Sequence, residues 1–416
     1  GAVAPRRQLY RLVVARYACR MQKVGKDRPF RVVIVGGGIG GLTAAVALHQ
    51  RGFEVEVYER SSKLEEVGAG LQVGPNGVKV IRALGLWEQF DKIAFQPVNQ
   101  VSIQWDDASL RHRTPLKEMA ERDYGAPYTT LHRAHLHELL RNALPDGAIH
   151  LNANCVGATS TERGAVARFA DGHEVEADAV IGADGIRSAI RAQLFGADNP
   201  RFTEQMCWRC MVPMERVPTR IGPGLSVELA HDEYHGWIGP NGHVICYPIG
   251  DGSVLNIFAG HVTDQWVEES WSAPSSQEEL LAAYEGWNEA LLDMFRNVQH
   301  VYKWGIYDRD PIPQWTEGRV TLLGDAAHPT MPTLAQGGNM AIEDGYVLSR
   351  NLDRHRDDIH AALKGYVAER QPRTARVTLQ SRQQFANNRK VPPPPFLDRT
   401  WIFTFDATKE PETQPA

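Results

Sequence analysis

Apolar and polar positions alternate along this chain with three distinct periods, and each period predicts a different element. Arg31-Val-Val-Ile-Val35 is a short β-branched run, the mark of a strand buried on both faces. Leu42 to Arg51 then reads as a helix closed by Gly52, and Glu54-Val-Glu-Val-Tyr58 alternates as a second strand. Two further buried runs end in turn residues, Ala177–Ile181 before Gly182 and Arg319–Leu323 before Gly324. From about Cys207 to His261 the alternation is that of a sheet with one covered face, and Met340–Leu348 reads as a helix.

The first strand, helix and second strand enclose a G-x-G-x-x-G turn at Gly36, Gly38 and Gly41, with Glu59 placed 18 residues after the last glycine. Gly36 permits a tight turn, Gly38 lets a pyrophosphate approach the backbone, and Gly41 lets helix and sheet pack closely. The phosphates would meet unpaired N–H groups at the helix N-terminus, and Glu59 would accept hydrogen bonds from a ribose. This is a dinucleotide site in which an acid argues against a 2′-phosphate; it does not separate NAD from FAD.

Composition and charge narrow the class. The chain has 416 residues, 43% hydrophobic and 23% charged, which excludes collagen, coiled coil and wholesale disorder and suits two lobes. Residues 1–28 carry eight basic side chains against Asp27, so the net −5 of the whole becomes −12 for the rest. That balance gives no case for nucleic acid, and no segment reads as an integral membrane span. The basic head reads either as an organelle-targeting presequence or as an artefactual upstream extension. Five scattered cysteines fit a reducing compartment, and a cytoplasmic location is expected.

Two later motifs carry a resemblance. Ala177-Asp-Ala-Val-Ile-Gly-Ala-Asp-Gly-Ile-Arg-Ser188 and Gly318-Arg-Val-Thr-Leu-Leu-Gly-Asp-Ala-Ala-His-Pro329, in order behind the glycine turn, are similar to the DG and GD motifs of the single-component FAD-dependent aromatic hydroxylases, the class A flavoprotein monooxygenases. The likeness runs from about Arg31 to Asp406. Val67–Asn76, Tyr366, Arg370, Arg373 and Trp401–Asp406 resemble the branch of salicylate, 3-hydroxybenzoate and 6-hydroxynicotinate hydroxylases.

The resemblance implies an α/β fold: a Rossmann-type FAD-binding domain in three segments (29–100, 129–200 and 312–385), a β-sheet substrate domain (201–311, with 101–128 contributing), C-terminal helices and a tail from 386 to 416. It implies that Gly36, Gly38, Gly41, Glu59, Arg60, Gly70 and Arg133 serve FAD. Asp184 and Gly185 would serve FAD and a passing nicotinamide, Asp325 the ribityl chain, and Asn339 completes the set. Pro329 would lie beside the ring and Gln336 in the substrate pocket. With no second glycine fingerprint, NADH or NADPH is expected as a transient co-substrate, and O₂ would yield a flavin hydroperoxide. The substrate would be a small phenolic or hydroxyheteroaromatic molecule; an epoxidase or a polyketide or terpenoid hydroxylase is the alternative. A monomer or homodimer is expected.

Several residues carry physical arguments of their own. Gly337 and Gly338 would allow a planar ligand close to the backbone, where a helix N-terminus stabilises negative charge. Glu343 and Asp344 then read as first-turn dipole partners. On a strand, His243, Ile245 and Tyr247 share one face, and an imidazole with a pKa near 6.5 suits base chemistry at neutrality. His243 and Tyr247 resemble the pair that activates the substrate hydroxyl in that branch. Arg209 is a candidate clamp for a substrate carboxylate. His132, His135 and His137 lack the partners of a metal site, so no metal is expected. Cys207 and Cys210 would point to opposite faces of their strand.

Overall fold

The computed structural model describes residues 28–64, 70–265, 273–390 and 394–411. Nearly all of the basic head and part of the Val67–Asn76 stretch lie outside them. Among the described residues, no helix is long and apolar enough to cross a membrane.

The β-branched runs assemble into a six-stranded sheet in the order Thr316–Glu317, Val320–Leu322, Ala179–Gly182, Arg31–Val35, Glu54–Tyr58 and Ile149–His150. Its inner pairs are parallel. Strands covered on both faces need continuous apolar runs, which is why Val32, Val33 and Ile34 are fully buried. The helix Ile39–Gln50 is buried on every side from Ile39 to Leu48, because the helix Gly337–Arg354 covers what the sheet does not. Gly345 makes that contact close: a Cβ there would sit 2.6 Å from the Ala44 nitrogen.

The second lobe is an eight-stranded sheet, in the order Ala273–Pro274, Gln299–Asp308, Arg201–Pro213, Val254–Val262, Gly242–Ile249, Tyr234–Gly239, Gln100–Gln104 and Leu110–Thr114. One face carries its own core, including Val244, Cys246, Trp208 and Cys210, against the helices Gln277–Ala283 and Glu289–Arg296. The other face looks back at the first lobe.

Two expectations are corrected here. Among the described residues, the expected tail from residue 386 begins as helix and continues as packed chain. The helix Ile359–Asn388 is 30 residues long, and the segment beyond it returns to the body of the protein, with Ile402, Phe403 and Ala407 buried. The Lys79 ammonium holds it by donating to the carbonyls of Phe403, Thr404 and Phe405, at 3.0, 3.1 and 3.2 Å.

Glu343 and Asp344 are not first-turn dipole partners. They lie beyond the first turn of Gly337–Arg354, fully buried, inside an ionic network. Asp344 accepts from the Gly324 nitrogen at 3.1 Å, from His328 Nε2 at 2.5 Å and from Arg370 Nε at 2.7 Å. Glu343 pairs with Arg370 at 2.6 Å and Arg373 at 2.8 Å, and accepts from Asn76 at 2.6 Å. Burial opposes ionisation of Asp344, but His328 and Arg370 outweigh it and hold the carboxyl at about 2.

Candidate active site

A cavity of about 1280 Å³ runs between the lobes, bounded by Gly38 and Gly41 on one side and by His243 and Tyr247 on the other. Drug-sized pockets span roughly 300–1,000 Å³, so this one has room for a dinucleotide and a small substrate together.

The glycine turn fits a pyrophosphate. Gly36 has φ +109°, and a Cβ there would lie 2.2 Å from the Ala183 carbonyl oxygen; one on Gly41 would lie 2.1 Å from that of Gly36. Around Gly38 nothing stands within 4 Å, so the space above the N-terminus of Ile39–Gln50 is open to a ligand. His137 Nε2 donates to the Gly37 carbonyl at 2.6 Å, so this histidine holds the turn. Glu59 accepts from the nitrogens of Gly37 (2.8 Å) and Ser61 (2.9 Å). Burial would raise its pKa, but these two donors outweigh it and keep the carboxyl below its usual range. Gly36 and Glu59 stand outside the cavity wall, which Arg60, Gly70 and Arg133 join.

The two aspartates follow their strands into the cavity. Asp184 accepts from the Ala189 nitrogen at 2.8 Å through Oδ2, while Oδ1 is buried without a protein partner. Gly185 beside it has φ +80°. Asp325 follows Gly324 (φ +62°) and is exposed to the cavity, yet burial in the fold pushes its carboxyl up, as it does for Asp184. Arg191 ties the two turns together, its guanidinium donating to the Ala327 carbonyl at 3.0 Å. Thr330 and Thr333 add two buried hydroxyls without protein partners on the wall that Pro329, Gly337 and Gly338 also form. Open glycines, an orphaned carboxylate oxygen and orphaned hydroxyls along one trough are what an FAD-sized polar ligand would satisfy. In bound FAD these residues would hold the phosphates, the ribityl chain and the ring edge.

Two expected site residues are turned away. Gln336 is 1% exposed, accepts from Asn76 Nδ2 at 3.0 Å and does not line the cavity. Asn339 spends its amide on the Gly74 nitrogen and the carbonyls of Gln72 and Ala335, at 3.0, 3.0 and 2.9 Å. Gln336 fastens the start of the helix Gly337–Arg354 to the helix Pro75–Ala83, and Asn339 fastens it to the strand Gly70–Val73 and Gly74, instead of meeting a ligand.

The substrate wall follows from strand parity. His243, Ile245 and Tyr247 line the cavity while Val244 and Cys246 enter the opposite core. Register places Phe258 beside Ile245, Arg209 beside Phe258 and Asn256 beside Tyr247. Tyr234 and Tyr247 stack at 6.0 Å, and Arg209 lies 4.7 Å from the Trp304 ring centroid. Tyr128 donates to Gln72 Oε1 at 2.5 Å. Burial lowers the His243 imidazole to about 4, so the ring is neutral near pH 7 and accepts a proton only where a developing negative charge stabilises the product. That is a harsher setting than an ordinary surface imidazole. Cys207 and Cys210 enter opposite packing clusters as free thiols.

Comparison with known proteins gives these surfaces an identity. The model of the FAD binding domain family matches residues 30–381. A 3-amino-4-hydroxybenzoate 2-monooxygenase of Streptomyces platensis is 37% identical over 93% of this chain and 98% of its own. A 6-hydroxynicotinate 3-monooxygenase of Pseudomonas fluorescens is 33% identical over 92% of this chain and 97% of its own. Among solved structures, a salicylate hydroxylase substrate complex superposes with a TM-score of 0.76 at 26% identity, over 92% of this chain and 97% of that one. The chain therefore belongs to the class A FAD-dependent aromatic hydroxylases and is an FAD-dependent monooxygenase acting on an aromatic or heteroaromatic substrate.

Proposed function

We propose that the substrate is a phenol or hydroxyheteroaromatic and that His243 takes the proton of its hydroxyl, with NADH or NADPH as the transient reductant. Bound FAD would relay the nicotinamide's electrons to O₂ and so activate it. The protein's part is to position the ring, exclude water and make it electron-rich.

The observation that carries this reading is the nine-tenths buried imidazole of His243 on the same cavity face as Tyr247. An isolated charge there is unfavourable, which is why burial lowers its pKa. A phenol hydroxyl alongside changes the balance, since proton transfer creates an ion pair rather than a lone cation. Tyr247, whose own phenol is pushed far up by burial, stays protonated and can act as a hydrogen-bond donor to the substrate. Asp325, Arg133, Gly337 and Gly338 hold the cofactor side in this reading, and Asp184 with Gly185 borders the path of the nicotinamide. Relatives named for 3-amino-4-hydroxybenzoate and 6-hydroxynicotinate both act on rings that carry a hydroxyl.

His243→Ala tests the assignment. Turnover of a phenolic substrate should fall by about 10²–10⁴-fold, the usual weight of general base catalysis, with FAD occupancy intact and partial recovery at a pH where the substrate ionises unaided. Unchanged turnover removes the base role.

A further inference from the structure

The C-terminal segment brings one more charge to the substrate end of the cavity. Arg399 lines it, and the side chain is fixed by aromatic contacts: its guanidinium carbon lies 4.6 Å from the Phe396 ring centroid and 5.4 Å from that of Phe403. Among the described residues it makes one hydrogen bond, a long one of 3.4 Å to Gln100 Oε1. Among the described residues no carboxylate pairs with it. Asp398, next along the chain, is exposed and accepts from the Thr400 nitrogen at 2.9 Å. The other acids on this cavity wall, Asp184 and Asp325, belong to the cofactor turns.

The surroundings of Arg399 are those of an anion subsite. Gln100, which it touches, pairs in register with Tyr234, whose ring stacks on that of Tyr247. Burial pushes the Tyr128 phenol up to about 12 although the charge of Arg399 opposes that, so this hydroxyl stays protonated, as does that of Tyr234. A half-buried guanidinium on aromatic faces, with no carboxylate paired to it among the described residues, is an electrostatically incomplete arrangement.

Resting on the phenol reading above, we infer that Arg399 is a specificity-determining residue that binds the carboxylate of an aromatic acid substrate. Its distance from His243 sets which acids fit. Tyr247, in the row of Gln100 and Arg399, is four residues from His243, about 13 Å along an extended strand. A ring held at both ends carries its hydroxyl and carboxylate on well-separated carbons, as in 4-hydroxybenzoate. An ortho acid such as 2-hydroxybenzoate presents both groups to one end.

The test is equilibrium binding to the FAD-loaded protein, read as perturbation of flavin absorbance, for 3-amino-4-hydroxybenzoate, 4-hydroxybenzoate, 2-hydroxybenzoate and the methyl ester of 4-hydroxybenzoate. Wild type should bind 4-hydroxybenzoate about 10- to 100-fold more tightly than its ester, as expected for one charge-assisted contact. Arg399→Met should bring that ratio close to one, Arg399→Lys should restore part of it, and 2-hydroxybenzoate should show no dependence on residue 399. Melting temperature and FAD affinity of the variants monitor the fold. A ratio unchanged in Arg399→Met, a dependence confined to the ortho acid, or no binding of the para acids by wild type would each overturn the assignment. Loss of turnover in His243→Ala alongside an unchanged ratio would leave the phenol reading standing while Arg399 falls; the reverse pattern would separate them the other way.

Discussion

Gly36 and Gly38 stand two residues apart in one turn, yet an added methyl group should have opposite consequences at each. At Gly36 the backbone has φ +109°, and a Cβ would overlap the Ala183 carbonyl at 2.2 Å. The conformational penalty alone is about 1–2 kcal/mol, and moving Ala183 would displace the strand end that carries Asp184. Gly36→Ala should therefore destabilise the apoprotein by at least about 2 kcal/mol. At Gly38 the backbone is extended with φ −71°, and nothing lies within 4 Å of the added atom. A gain of about 0.4–1 kcal/mol from the stiffer unfolded chain is offset by the poorer N-cap that alanine makes. The apoprotein should stay within about 0.5 kcal/mol of wild type. The methyl group then occupies the space left for the pyrophosphate. Losing even one charge-assisted N–H contact there costs about 1.5–3 kcal/mol, so FAD should bind roughly 10- to 100-fold more weakly. Urea unfolding of the two apoproteins and FAD titration followed by flavin fluorescence separate these effects. Wild-type FAD affinity in Gly38→Ala, or equal destabilisation by both substitutions, would refute the reasoning.

Other consequences follow from buried charge. Arg370→Met leaves Glu343 and Asp344 short of a partner in a site with 0% exposure and should cost about 3–5 kcal/mol of unfolding free energy; a loss under 1 kcal/mol by denaturant titration would mean the network relaxes freely. His235 and His243 are both lowered to about 4 by burial, so the unfolded chain binds their protons first as pH falls. The stability they contribute is complete above about pH 6.5 and is lost progressively toward pH 4, so denaturant midpoints should decline across that window and less steeply in His243→Gln. Equal slopes for both proteins would contradict the burial of His243.

Much of this site was readable from spacing because it depends on neighbours in sequence. The glycine turn needs only local backbone freedom, and the cavity face of His243, Ile245 and Tyr247 needs only strand parity. What escaped depended on partners far along the chain. Gln336 and Asn339 stand at the start of a helix whose neighbours on one side are glycines facing the cavity; Asn76 and Gly74, some 260 residues earlier, claim their side chains. Glu343 and Asp344 looked like ordinary acids near a helix start because Arg370 and Arg373 reach them from another helix. The return of Phe403 and Arg399 over the cavity rests on Lys79, and no period in the sequence announces that contact. Thr330 and Thr333 sit in a turn-rich stretch where hydroxyls are common, and only their unpartnered burial marks them.

Hydroxylation of a phenolic ring, the reaction proposed above, would leave one atom of O₂ on the product. Incubating the FAD-loaded protein with ¹⁸O₂, NADH or NADPH, and a panel of phenolic acids and hydroxypyridines, with products resolved by mass spectrometry, tests it directly. The account predicts a product carrying one ¹⁸O on the ring, formed in step with nicotinamide oxidation. Nicotinamide oxidation that yields only hydrogen peroxide with every ring in the panel, or ¹⁸O found in an epoxide of a non-phenolic substrate, would contradict it.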